Sequence, residues 1–470
     1  MKISELFEAY YGRRDASTVI VDEDCPYLHS YVPYLRGQTH ILAYNFLRSN
    51  YNLRDPVLLR IWVSPNNGIC TPKNITTQVF APDSVFHLDP ENVDALADFD
   101  DPLGSLHIKI YHPKVKTANG EFRFMAFYHQ PGFGCAGIHS LGARGLKMLG
   151  TSFGSRAILA TGLLHHAIDA YELKLVESSN LNMDLSKLKP QQHTLLGPSF
   201  FVSTDESNNV AGVWHDSDMT QRLQRSVSKS QSCPIRQAFP IPNFPTGSPV
   251  IWLDKDNIGF TPESIKFVIF DVEGHEITQL KVPTSDLPLV LNLSQLFRNA
   301  PHVDTAFAIA DFGADHSEFN MPALAYLQMW YPGKASAGDQ IHSMITPSYW
   351  TDPQAEPVSY RCRKFAPWTL TDGVDWSYSI VNVGGHGGNR DNTLKLRVTT
   401  DCGEEEVFWI NLPDERVSTI KAEEIFKRPR LIKAKSAIVQ IEAEKSNFNA
   451  YWVARDTKSG SIGIDHFTGG

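Results

Sequence analysis

The chain has 470 residues, 43 Lys and Arg against 52 Asp and Glu for a net charge of −9, with 42% hydrophobic and 20% charged residues. At about 150 residues per domain this is roughly three domains, and the balance excludes disorder, collagen or coiled coil as the main state. The negative charge argues against non-specific attraction to nucleic acid or anionic lipid, so neither nucleic acid nor membrane insertion is expected.

The first fifteen residues carry Lys2, Glu5, Glu8, Arg13 and Arg14 and lack the continuous apolar stretch of a secretory signal. No apolar run approaches the about 18 residues that span a bilayer. Six cysteines, Cys25, Cys70, Cys135, Cys233, Cys362 and Cys402, are scattered singly without a C-x-x-C pair. Free thiols in a reducing compartment are the simpler reading, and a cytoplasmic location is expected.

Comparison of the chain with itself predicts one plan used several times. An alternating strand at 57–63 is followed by the turn Asn66-Asn67-Gly68 and a second strand at 75–80. The same series is read at 250–253, Asp256 to Gly259 and 265–270, and again at 394–398, Asp401-Cys402-Gly403 and 407–412. Each unit then continues in a hairpin whose strands alternate apolar and polar residues, at 106–110 with 122–127, 307–310 with 324–330, and 438–441 with 449–453. Each closes on a short strand or segment bearing a histidine: His139, His342 and His466. The segment 200–215, ending in His215, matches 451–466 and marks a diverged copy, whose earlier part at 155–177 reads either as an amphipathic helix or as two strands, strands being favoured.

Short alternating strands with regular turn signals specify an all-β protein of tandem antiparallel β-sandwiches, Ig- or FnIII-like, with three clear copies and a diverged fourth. The expected divisions are 1–142 with an N-terminal extension, 143–225 for the diverged second copy, 226–346 and 347–470.

Imidazole is the commonest metal ligand, which draws attention to His139, His215, His342 and His466. Recurrence at one place in every copy favours a shared local task, such as tying a strand end. The sequence does not bring histidines of different copies together, although copies set around a common axis would. His215-Asp216-Ser217-Asp218 is the best local metal candidate, with His215, Asp216 and Asp218 as ligands. His165, His166, Asp169 and Glu172 form a second polar group, read as solvated rather than ligating. No cofactor is predicted, though the residue chemistry leaves room for a divalent metal.

Phe270 to Glu276 resembles a segment of FkbM-type methyltransferases over seven residues. Such enzymes need a nucleotide-binding α/β domain with a glycine-rich loop, and no strand-loop-helix of that kind lies upstream. Glu273-Gly274 is therefore read as a hairpin turn. P-loop, G-x-S-x-G, H-E-x-x-H and dinucleotide motifs are missing, and Gly384 to Gly388 joins two strands.

Tyr27, Tyr31, Tyr34, Trp330, Tyr331, Tyr349 and Trp350 lie in or beside expected loops, where aromatic rings stack on sugars or form protein interfaces. His139, His342, His466, Trp330, Tyr331 and Trp350 are the candidate ligand-binding residues. The expected function is non-catalytic recognition of a partner protein or a polysaccharide. The alternative is a metal-assisted or acid–base enzyme at a junction between copies, using His139, His215, Asp216, Asp218, His342 and His466.

Overall fold

A computed structural model describes residues 1–22, 25–45, 54–65, 74–114, 124–132, 134–142, 192–196, 200–204, 210–215, 236–242, 248–253, 264–283, 289–292, 305–311, 325–330, 337–340, 362–384, 393–413, 416–443, 447–460 and 462–469. The described residues are dominated by antiparallel strands, with a few short helices, and none of those helices is long and apolar enough to cross a membrane.

The helix α1 (Ile3–Tyr10) comes first. The strands of the first copy are β1 (Tyr27–Leu35), β2 (Thr39–Tyr44), β3 (Val57–Pro65), β4 (Thr76–Phe80), β5 (Val85–Leu88), β6 (Leu103–Tyr111), β7 (Met125–Gln130), β8 (Gly134–His139) and β9 (Leu141–Gly142). They form two sheets, ordered β4-β3-β6-β1-β9 and β5-β2-β7-β8. Alternation turns Val57, Leu59 and Ile61 inward to a core shared with Ile41, Ala43, Ile108, Ile110 and Tyr128. The opposite face of the first sheet carries the cross-strand row Tyr27, Tyr111, Leu58, Val79. That row is apolar, and Leu6 of α1 and Val19 pack over it. The N-terminal segment thus covers a sheet face and edge that would otherwise meet water.

The second copy shows β10 (Gln192–Leu196), β11 (Phe200–Thr204) and β12 (Val210–His215) in one antiparallel sheet. The segment 155–177 and its polar group lie outside the described residues. The third copy comprises β13 (Arg236–Pro242), β14 (Ser248–Leu253), β15 (Ser264–Phe270), β16 (Glu276–Pro283), β17 (Leu289–Asn292), β18 (Thr305–Asp311), β19 (Ala325–Trp330) and β20 (Ala337–Gln340). The fourth comprises β21 (Cys362–Thr369), β22 (Val374–Gly384), β23 (Thr393–Thr400), β24 (Glu405–Asn411), β25 (Arg416–Lys421), β26 (Ser436–Ala443), β27 (Asn447–Asp456), β28 (Ile462–His466) and β29 (Thr468–Gly469). Its sheets run β24-β23-β26-β21-β29 and β25-β22-β27-β28, strand for strand the order of the first copy. The third copy repeats it as β16-β15-β18-β13 and β17-β14-β19-β20. The chain is a tandem array of one β-sandwich.

Strand order corrects the self-comparison at one point. Residues 250–253 lie in β14, whose counterparts are β2 and β22, so they do not match 57–63 of β3 or 394–398 of β23. The true counterpart of β3 in the third copy is β15. The Asp271 to Gly274 turn consequently matches Asp401-Cys402-Gly403, and Gly274 and Gly403 both adopt positive φ, 78° and 81°. Period-two alternation marks a strand as half-buried but carries no label saying which strand it is; hydrogen-bond order supplies that label.

The four copies close into a ring. Strand β8 lies beside β12 and β28, and β20 lies beside the same two, so the last hairpin strand of every copy faces a common axis. Around the outside, the second sheet of one copy backs onto the first sheet of its neighbour. Phe365 and Ile438 of the fourth copy join the core cluster of the first, with the Tyr44 and Phe365 rings 5.5 Å apart. Val381 and Val417 of the fourth copy pack on Phe307 and Ile309 of the third. β11 and β10 of the second copy approach β1 and β6 of the first. This double burial explains why β26 and β28 are buried at every position instead of every other one.

Candidate polar junction between the first and fourth copies

The ring closes where β8 meets β27 and β28, and glycine makes the approach feasible. A Cβ on Gly137 would fall 1.9 Å from the indole of Trp452, and one on Gly463 would fall 2.6 Å from the backbone of Ala136. The missing side chains let the two copies touch backbone to backbone.

At this contact stand His139 and His466, equivalent residues because His139 pairs with Met125 and His466 with Tyr451 at the same point of their hairpins. His139 Nδ1 lies 3.2 Å from both carboxylate oxygens of Asp465. His466 Nδ1 is 3.1 Å from Asp465 Oδ1, which also accepts the His466 backbone N–H at 2.8 Å. The imidazole centroids are 4.4 Å apart at 72°. All three residues are at least 98% buried. One ligating atom from each lies within 4.8 Å of the others, enough to hold a metal ion. The carboxylate is peculiar to the fourth copy, since the position before His139 is Ile138 and those before His215 and His342 are Trp214 and Ile341.

A second histidine–carboxylate pair crosses the same junction. His129 Nε2 lies 3.1 Å from Asp456 Oδ2, which accepts the Gly132 backbone N–H at 3.0 Å, while Asp456 Oδ1 accepts from Lys458 and Ser459. Burial pushes the Asp456 pKa up, but the Ser459 and Gly132 N–H groups and His129 outweigh it and bring the value to about 2. A carboxylate depressed on folding stabilises the fold above its unfolded pKa of 3.8 and loses that contribution as pH falls towards about 2. Asp456→Asn is therefore expected to destabilise the protein at pH 6 and to flatten its stability profile between pH 4 and 2, measured by urea unfolding; an unchanged profile contradicts the assignment.

Of the residues expected from sequence to form sites, the structure brings His139 and His466 together. His215 ends β12, beside β8, and Trp330 ends β19; their side chains lie outside the described part, as do Asp216, Asp218, Tyr331, His342 and Trp350. Asp465, His129 and Asp456 were not foreseen. The legible signal was a carboxylate at 465 where the other copies carry Ile or Trp. The Asp271 to His275 segment is a surface turn in which the Asp271 carboxylate accepts the Glu273 and His275 backbone N–H groups.

No protein-family model and no curated protein matches the chain. Among solved structures it is similar to a putative adhesin from Bacteroides ovatus, at 8% identity over 49% of this chain and 74% of that one, with a TM-score of 0.11. It is similar to a tetra-tandem repeat from the extending region of a large adhesion protein, at 7% identity over 93% and 72%, with a TM-score of 0.09. It also matches the pilus backbone RrgB from Streptococcus pneumoniae, at 7% identity over 96% and 90%, with a TM-score of 0.12.

Proposed function

We propose that this chain is a non-catalytic interaction protein that recognises a partner protein or a polysaccharide through the outer faces of its sandwiches. The observation that carries this reading is Trp409, 68% exposed on the edge strand β24. Its row, Arg363, Glu442, Lys395, Trp409, occupies the place of His29, Lys109, Arg60, Thr77 in the first copy, because Phe365 pairs with Thr468 as Tyr31 pairs with Leu141. In the first copy Thr77 stands at that edge position, and α1 covers the neighbouring apolar row of Tyr27, Tyr111, Leu58 and Val79; in the fourth the Glu442 carboxylate lies 3.6 to 4.0 Å from Arg397, Lys395 and Arg363, and the indole projects into solvent beside Val407, also exposed. The third copy carries Arg236, Asp311, Lys266 and Lys281 in the same register. A large aromatic ring next to fixed charges on a strand that ends its sheet among the described residues suits ring stacking, cation–π contact or strand addition.

Trp409→Ala is expected to weaken partner binding at least about tenfold while leaving the unfolding curve within ~0.5 kcal/mol of wild type, as for other surface changes. Binding of both proteins to a glycan array and to immobilised cell-surface and cytosolic protein fractions tests this; equal binding by both removes the reading. A cytoplasmic location is part of the proposal, supported by the free thiols of Cys25, Cys135 and Cys402.

A further inference from the structure

We propose that His139, Asp465 and His466 bind one divalent cation of the zinc and iron(II) class, and that this ion clamps the first copy of the ring to the fourth. Two imidazoles and one carboxylate are the donor set that zinc and non-haem iron(II) prefer over calcium or magnesium, which seek oxygen. Donors bonded at about 2.0–2.1 Å in a tetrahedral or octahedral shell stand about 2.9–3.4 Å from one another. The His139 Nδ1 to carboxylate distances of 3.2 Å and the His466 Nδ1 to Asp465 Oδ1 distance of 3.1 Å fall in that range. One Asp465 oxygen and the two imidazole nitrogens supply three donor atoms, the number of protein ligands in a zinc site that keeps one open position.

The surroundings favour the same assignment. A carboxylate at the ring axis, preceding a histidine that Ile138, Trp214 and Ile341 precede in the sequence of the other copies, is costly to bury without a counter-charge. The donors come from chain segments 326 residues apart, so the ion would tie together parts of the protein that only the closed ring makes neighbours. Gly463, two residues before Asp465, and Gly137, two before His139, are the close-approach glycines that set the spacing of the two donor strands.

The test uses full-length protein purified without chelators. Elemental analysis is expected to find close to one zinc or iron per chain, and replacement by cobalt(II) to give visible d–d absorption. Chelation should lower the melting temperature and added zinc should restore it. Asp465→Asn should lose the metal, whereas His129→Gln, which breaks the neighbouring pair at the same junction, should retain it. Stoichiometric metal in Asp465→Asn overturns the assignment, and so does wild-type protein that holds no metal, develops no cobalt spectrum and melts independently of zinc. If Asp465→Asn does not fold, the wild-type cobalt spectrum decides. The result is separable from partner recognition, because Trp409→Ala should keep its metal whether or not it binds a partner.

Discussion

Gly463→Ala is expected to lower the unfolding free energy by about 3 kcal/mol, at the upper end of the overpacking range. The added Cβ would stand 2.6 Å, 2.8 Å and 2.9 Å from the carbonyl carbon, Cα and N of Ala136. These are backbone atoms of β8, held by pairing with β7, so no rotamer change relieves the clash and β8 must move away from β28. Gly137→Ala drives its Cβ into Trp452, a fully buried indole packed against Trp376. Separation of the strands would also pull His139 from Asp465 and His129 from Asp456. The control is Gly403→Ala, where a Cβ meets nothing within 4 Å and only the left-handed backbone is penalised, at about 1 kcal/mol. Urea unfolding of the three variants checks this. Equal losses for Gly463→Ala and Gly403→Ala would mean that the first and fourth copies do not touch at β8 and β28.

Lowering the pH from 6.5 to 4 should destabilise the protein through a pair of buried imidazoles. His40 sits in β2 with its Nδ1 3.5 Å from His87 Nε2 and the two rings stacked. Burial, then the neighbouring His87 and His129, hold the His40 pKa down at about 3, and burial lowers that of His87 too. Both therefore stay neutral in the folded first copy at pH values where the unfolded chain, with an ordinary histidine pKa near 6.5, binds protons. The unfolded state gains that binding free energy, so stability is complete above about pH 6.5 and falls by up to about 1.4 kcal/mol per pH unit for His40 as the pH drops towards 3. His40→Gln should flatten this part of the profile, and Asp456→Asn should not, because the Asp456 window lies below pH 4. Stability independent of pH between 6.5 and 4 in wild type would show that the imidazole pair accepts a proton in the folded state.

Much of the candidate site was half legible. The four closing histidines could be read because each follows a short strand at the end of a hairpin, and two of them do meet. Asp465 is not legible as a site residue, since a lone carboxylate beside a histidine in a sequence looks like any solvated strand end. His129 and Asp456 stand 327 residues apart in different copies, and the Lys458 and Ser459 N–H groups that Asp456 also accepts give it the look of an ordinary turn residue. In the sequence Trp409 looks like one more apolar residue of the strand at 407–412, because alternation cannot distinguish a face covered by a helix from one left open. Only the packing, with Val79 under α1 and Trp409 in solvent, separates them.

What the sequence determined by itself is the all-antiparallel class and the repetition of one sandwich. Both are written in local signals: period-two alternation, and turn residues such as Gly403 that accept positive φ. The tertiary structure alone decided that β15, and not β14, answers to β3, that the copies close into a ring, and that His139 faces a carboxylate 326 residues away. Those outcomes depend on which sheet face packs against which, a choice made by long-range burial and hydrogen bonding that leaves no period in the chain.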